Sequence, residues 1–380
     1  MIIGIDANWL IYENAGIGKY SQNIILEILK NDHKNRYILF ANFVRKFQER
    51  KKILQDLVVS SGNTKTQIII SRIPSAWREW LGNTNFPQKW LIRKPVDLYF
   101  STYFSGIAKN GFPKQVVVLY DLVFLFYPEH AGIKLSDYYL KRTKNALANS
   151  QKIITISHST KNDLIEKLKV DPSKIEIAYP GVDKNIFQPK SKTETAKIIK
   201  KYHINKPYIL SVCTLEPRKN LETLIDAYQK LPEDMQKNYQ LVLVGKSGWN
   251  NNNLKSQISN LKSKIIETGY IPEKDLPYLY SGADIFVYPS YYEGFGLPVL
   301  EAMTCGCPVI VSNNSSLPEV VGTAGILVDS KNIPELAKSI NDLLLNENEL
   351  SLLREKGLTQ SQKFSWKKSA IKIIKLFELI

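Results

Sequence analysis

The sequence predicts an α/β protein built from two parallel-sheet domains in tandem, and three observations carry that expectation. Short apolar runs alternate with longer helix-period patterns along the whole chain, which is the texture of repeated βαβ units. Several of those runs are unbroken Ile, Val and Leu, as strands covered on both faces must be. The chain has 380 residues, whereas a single hydrophobic core stops growing near about 250–300 residues. One compact core is therefore excluded, and two domains follow.

Taken in order, the first series of strands is expected at residues 2–5, 37–40, 67–70, 98–101, 116–120, 153–157 and 175–178. A helix over 20–30 follows the first strand, because Ile24, Ile25, Ile28 and Leu29 recur on one face at helical spacing. Another runs over 157–169, with Ser159 three residues before Asn162 as its start signal and Leu164, Ile165 and Leu168 as its seam. The texture then changes. Residues 179–183 are turn chemistry around Pro180 and Gly181, and a polar, Lys-rich stretch over 190–201 follows Pro189. The domain boundary is expected there, dividing the chain into 1–188 and 189–364. A second strand series is expected at 208–213, 240–245, 264–269, 285–288, 309–312 and 326–329, with helices at 221–231, 276–282, 297–305 and 333–345. A helix over 365–380 closes the chain. Two Rossmann-like domains of this kind place a cleft between them, with ligands at the carboxyl ends of the strands.

Composition narrows the class further. Hydrophobic residues at 44% and charged residues at 23% are those of an ordinary soluble globular protein. Three cysteines cannot form a disulfide framework, and their odd number fits a reducing cytosol. The start lacks the basic segment and long apolar run of a signal peptide, and no apolar run reaches transmembrane length. A cytoplasmic protein is expected. The net charge of +15 is uneven: residues 1–180 hold 26 Lys and Arg against 15 Asp and Glu, and residues 181–380 hold 25 against 21. The first half is thus expected to face an anionic partner. Nucleic acid is disfavoured, since no zinc-finger spacing, RRM signature or basic heptad region accompanies the charge. An anionic membrane surface fits better. Residues 74–95 interleave Trp77, Trp80, Phe86 and Trp90 with Arg78, Lys89, Arg93 and Lys94, the composition of an interfacial segment. A helix packed in its own core with a solvated basic face has the same composition.

The segment 288–308 is the most informative for chemistry. After a strand ending at Tyr288, a loop carries Glu293, Gly294, Phe295 and Gly296, and a helix beginning at Leu297 carries Glu301. The glycines let backbone approach a ligand closely, and a helix N-terminus offers N–H groups to phosphate or sugar oxygens. A carboxylate at Glu301 can accept a pair of hydrogen bonds from vicinal hydroxyls, as an acidic residue does for ribose in dinucleotide folds. Glu293 can reach sugar hydroxyls or a developing positive charge. The plain alternative is a Gly-rich turn with a Glu that stabilises a helix start. Gly16 and Gly18, between the first strand and its helix, either cradle a phosphate or acceptor, or only make a tight turn. Cys305 and Cys307 lack the further ligands of a tetrahedral metal site, and among the histidines only His130 is expected near the cleft.

Glu293 and Glu301, with seven residues between them in EGFGLPVLEAM, resemble the EX7E motif of the retaining GT-B glycosyltransferases of family 4. Gly16 to Tyr20 resembles that family's N-terminal glycine loop, Tyr120-Asp121-Leu122 with Pro128-Glu129 its "HDL…PE" segment, and residues 154–164 its last N-domain strand and helix. Residues 179–183 are similar to its interdomain turn, 211–220 to its donor-side phosphate segment, and 302–308 with 317–320 to its closing motif. The resemblance spans residues 4 to about 330. It implies a GT-B fold, an N-terminal acceptor domain, a C-terminal donor domain, and a last helix, 365–380, that returns to the first domain. It further implies that Glu301 holds the ribose of a nucleoside diphosphate sugar, and that Glu293 with Gly294, Phe295, Gly296 and Leu297 meets the sugar and diphosphate. Arg218 and Lys219 would clamp the diphosphate, with Asp121 the nearer ionisable group at the reacting sugar. No Asp-x-Asp pair occurs in the chain, so no cofactor and no metal are expected, with fixed cations meeting the leaving group.

Two departures stand out. Tyr120 replaces the family's usual His, and a phenol cannot act as an imidazole near neutral pH. Cys213-Thr214 stands where many relatives carry Gly-Arg. The expected reaction is transfer of a hexose, mannose first, from a GDP- or UDP-linked sugar to a glycan or polyprenyl-diphosphate-linked acceptor with retention, in cell-surface polysaccharide assembly. Rival readings are a GT-B-shaped epimerase or phosphorylase and a catalytically silent sugar-nucleotide-binding subunit.

Overall fold

The computed structural model describes every residue except 12–15, 74–91, 93, 108–111, 132, 249–253, 255–256 and 259–263. Its contacts divide the chain into two compact units, Met1–Pro180 with Ser365–Ile380 and Gly181–Phe364. Each is an α/β unit with a parallel sheet.

The first unit's described strands are β1 (Ile2–Asp6), β2 (Arg36–Asn42), β3 (Thr66–Ser71), β4 (Leu98–Ser101), β5 (Gln115–Leu119), β6 (Lys152–Thr155) and β7 (Ile175–Ile177). They lie in the order β3-β2-β1-β4-β5-β6-β7, with parallel pairing throughout. The second unit holds β8 (Tyr208–Val212), β9 (Gln240–Val244), β10 (Ile265–Gly269), β11 (Ile285–Tyr288), β12 (Val309–Ser312) and β13 (Gly325–Val328). Their order is β10-β9-β8-β11-β12-β13, again parallel. In both sheets the strand order reverses once, at β1/β4 and at β8/β11. Loops leave in opposite directions at such a point, and the crevice opened at the strands' carboxyl ends is where open α/β sheets bind ligands.

Expected and observed strands agree to within two residues, because uninterrupted β-branched runs have no other stable placement in a soluble chain. The helices agree less well. The Lys-rich stretch expected to be a linker is a helix, Lys192–Lys201. Ser191 and Glu194 form a reciprocal capping box at its start, and that local signal outweighs the polar composition. Ser157, not Ser159, caps the helix His158–Leu168, accepting from the Thr160 N–H at 3.0 Å. The helix after β1 spans Gly16–Asn31, so Gly16 and Gly18 lie in its first turn instead of in a loop before it. The helices Phe47–Ser61, Ile133–Asn149 and Glu347–Ser361 were not anticipated. The division after Pro180 also sits eight residues before the expected boundary: the buried Phe187 ring packs 6.3 Å from Tyr280 of the second unit.

The last helix, Trp366–Glu378, belongs to the first unit. Ser365 caps it, Trp366 meets Tyr20 edge-on at 5.5 Å, and Phe377 meets Phe100 at 5.4 Å. The Ser369 hydroxyl donates to the Tyr179 carbonyl at 2.6 Å. Edge-to-face aromatic pairs each add about 0.5–1.5 kcal/mol beyond area burial, and they anchor this helix to residues far away in sequence. Adding its residues brings the first unit's charge to +14 and leaves the second at +1. Among the described residues no helix is long and apolar enough to cross a membrane. Trp77, Arg78, Trp80, Phe86, Lys89, Trp90 and Arg93, the expected interfacial stretch, lie outside the described residues.

Candidate active site

The second unit concentrates its charges at the β8/β11 reversal. From β8 the chain runs into a short 3-10 turn, Pro217–Lys219, bearing Arg218 and Lys219. From β11 it runs into the loop bearing Glu293. The carboxylate of Glu293 bridges both cations: one oxygen lies 2.5 Å from the Lys219 ammonium, the other 3.0 Å from the Arg218 guanidinium. Arg218 also donates to the Tyr292 carbonyl at 2.7 Å and pairs with Glu216 at 2.7 Å. Lys219 donates to the Tyr288 hydroxyl at 2.8 Å. Glu293 and Lys219 are buried, at 7% and 8% exposure, so solvent screens their pairing little. Burial by itself pushes the Glu293 carboxyl up, but the Arg218 and Lys219 charges beside it outweigh that and hold it at about 2.

Two serines and a glycine hold this loop in place. The Glu293 N–H donates to Ser315 at 3.0 Å, and the Ser316 hydroxyl donates to the Glu293 carbonyl at 2.9 Å. Gly296 starts the following helix, Leu297–Thr304, at φ 100°, where a Cβ would meet Leu317 at 2.7 Å. No side chain fits that position without displacing its neighbour. Phe295 points inward, stacked edge-on against Phe364 at 5.4 Å, so only its backbone is available to a ligand. Glu301, in the helix's second turn, is buried, and its carboxylate accepts from the Tyr280 phenol at 3.0 Å. Burial and then the Glu301 charge push that phenol well up, keeping it a donor.

The chain's matches to known proteins run along its whole length. The family described as "Glycosyl transferases group 1" matches residues 189–360, and "Glycosyltransferase Family 4" matches residues 16–185. The O-antigen chain mannosyltransferase B of Escherichia coli is 33% identical over 375 residues, covering 97% of each chain. The chain belongs to the family 4, group 1 glycosyltransferases. The serotype-specific mannosyltransferase WbdA of Escherichia coli is 31% identical over 292 residues, 73% of this chain and 36% of that protein. Among solved structures, sucrose-phosphate synthase from Thermosynechococcus elongatus superimposes with a TM-score of 0.76 at 21% identity, covering 100% and 98% of the two chains. Anabaena HepE, solved with UDP and glucose, superimposes at 0.74 with 19% identity, covering 100% and 99%. The fold of this glycosyltransferase is therefore GT-B.

Within this glycosyltransferase, Glu293, Arg218 and Lys219 come together as one ion cluster, and Gly294, Gly296, Leu297 and Glu301 continue from it along the chain. Asp121, Tyr120, Gly16 and Gly18 belong to the first unit. There Tyr120 is buried, donates to the Thr102 carbonyl at 2.8 Å and stands edge-on to Tyr20 at 5.3 Å. Its hydroxyl proton is thus used within the protein, as for a Tyr that follows a buried strand. A phenol this deeply buried must find a partner, and the end of a neighbouring strand supplies one. Asp121 is half-buried and accepts from the Val123 N–H at 3.1 Å. Cys305 and Cys307 are buried with their thiols pushed up by burial, and among the described residues no cluster of His, Cys, Asp and Glu is arranged for a metal. The His130 side chain lies outside the description.

Two neighbours of these charges, Tyr280 and Tyr288, carry no signal in the sequence. Tyr280 and Tyr288 read as a helix residue and a strand end, and nothing local ties them to Glu301 and Lys219. In the first unit, by itself, Asp6 was legible as an acid closing an all-apolar strand. It is buried at the carboxyl end of β1, accepting from the Asn8 N–H at 3.0 Å and the Ser101 hydroxyl at 3.3 Å.

Proposed function

We propose that this glycosyltransferase moves a hexose, mannose first, from a nucleoside diphosphate sugar to a glycan or lipid-linked saccharide acceptor in cell-surface polysaccharide assembly, with retention and without a metal. The observation that carries the reading is the Glu293–Arg218–Lys219 cluster at the β8/β11 reversal, with Glu301 one short helix away. A departing diphosphate gains negative charge in the transition state, and buried cations fixed in advance stabilise it with little reorganisation. Glu301 takes the ribose hydroxyls, the backbone from Gly294 to Leu297 the phosphates, and Asp121 the acceptor side. The departing phosphate oxygen accepts the acceptor proton, so no strong protein base is needed. Mannose is favoured over other hexoses by the names of the two Escherichia coli relatives. That HepE was solved with UDP-glucose supports a nucleotide-sugar donor. GDP-mannose is the first donor to test.

The test is transfer from GDP-mannose, UDP-glucose and UDP-galactose to mannosylated acceptors, followed by mass spectrometry and by NMR of the new anomeric linkage, with and without EDTA. Transfer from GDP-mannose in EDTA, giving an α-linkage, is expected. An inverted linkage, or activity restored only by Mg²⁺ or Mn²⁺, would overturn the mechanism.

A further inference from the structure

We propose that Glu293 is a displaceable counter-ion: the diphosphate competes with its carboxylate for Arg218 and Lys219, and the displaced carboxylate passes to the transferred sugar. The inference rests on the donor reading given above and deepens it. Both oxygens of Glu293 are occupied by cations, at 2.5 Å and 3.0 Å. Glu216 holds the other arm of the Arg218 fork at 2.7 Å. Two cations and two carboxylates sum to zero, so an approaching anion meets net positive charge only after one carboxylate leaves. Glu216 touches Arg218 from two residues away along the same turn and has no ion pair to Lys219 among the described residues. Glu293 blocks both cations together.

The loop's main chain is held independently of those ion pairs. Ser315 and Ser316 pin the Glu293 backbone through its N–H and carbonyl, so the side chain can rotate about fixed main chain. Lys219 keeps a partner when Glu293 departs, because the Tyr288 hydroxyl holds it at 2.8 Å. The consequence is selectivity between donor and product. An intact sugar nucleotide offers sugar hydroxyls to the freed carboxylate, which offsets the displacement. A nucleoside diphosphate bears the displacement alone and is held more weakly, which favours product release.

The experiment titrates GDP and UDP calorimetrically into wild type, Glu293→Gln and Glu293→Asp, with circular dichroism confirming the fold, and measures transfer by each. Glu293→Gln removes the competing charge at constant shape, so the preferred nucleoside diphosphate should bind about tenfold more tightly while kcat falls. Glu293→Asp keeps the charge but shortens its reach, and should tighten binding by a smaller factor should the Gln variant fail to fold. Equal or weaker nucleotide binding in the folded variants, beside normal binding by wild type, would overturn this inference and leave the donor reading intact. Wild type binding neither GDP nor UDP would overturn both.

Discussion

The two units use positive charge in opposite ways. The first carries +14 of the protein's +15, yet at its sheet reversal the groups are buried and hydrogen-bonded in small clusters: Asp6 with Asn8 and Ser101, Tyr120 with Thr102. The second unit is almost neutral at +1, yet its reversal holds Arg218, Lys219, Glu216 and Glu293 in one cluster. Net charge measures long-range attraction, which salt screens over about 10 Å. A buried ion cluster measures what a site can do to one bound group. Spread charge of the first kind acts at long range on any partner, and placed charge of the second kind is suited to chemistry on one bound group.

The sharpest way to break that contrast is to remove the placed charge. Arg218→Ala and Lys219→Ala should each lower kcat by about 10²–10³-fold with a smaller change in KM, since the charge they meet grows in the transition state. Steady-state kinetics decides, and a rise in KM alone would reduce the pair to ground-state binding. Acid probes the same cluster through stability. Glu293 sits at about 2 against an ordinary 4.5, so its contribution is fully present above about pH 5 and is lost as pH falls towards 2. That contribution is on the order of 3 kcal/mol. Denaturant titrations between pH 7 and pH 3 should show a steeper loss in wild type than in Glu293→Gln, and parallel curves would show that the pair contributes nothing.

A smaller effect separates the two carboxylates of the motif. Glu301→Ala should weaken GDP or UDP binding by about tenfold or more, because hydrogen bonds to a charged group are lost in the ground state. Glu293→Gln moves the same measurement the other way. Affinity unchanged by Glu301→Ala would remove the ribose assignment. The weakest expected effect belongs to the first unit. Each Lys or Arg near an anionic surface contributes about 1 kcal/mol, so anionic vesicles should co-sediment the protein at low salt and release it as salt rises. Replacing Trp77 or Trp80 with Ser should detach a folded protein. No sedimentation at low salt would point to a soluble acceptor.

What could be read in the chain alone was whatever depends on neighbours in sequence. The strands were legible because unbroken runs such as Val116-Val117-Val118 leave few alternatives, and the EX7E spacing was legible because both glutamates lie on one short loop-helix segment. The unforeseen helices show the cost of judging by composition, since Lys192–Lys201 is specified by its capping box rather than by an apolar face. Tertiary structure decided the rest. It paired Lys219 with Glu293 across 74 residues and Tyr280 with Glu301 across 21. It turned Tyr120 inward to Thr102 and added the charges of the last helix to the first unit. The physical reason is common to all of these. A strand or a turn forms from local torsional and hydrophobic preference, whereas the partner of a buried charge is chosen by which strand ends the sheet order brings together.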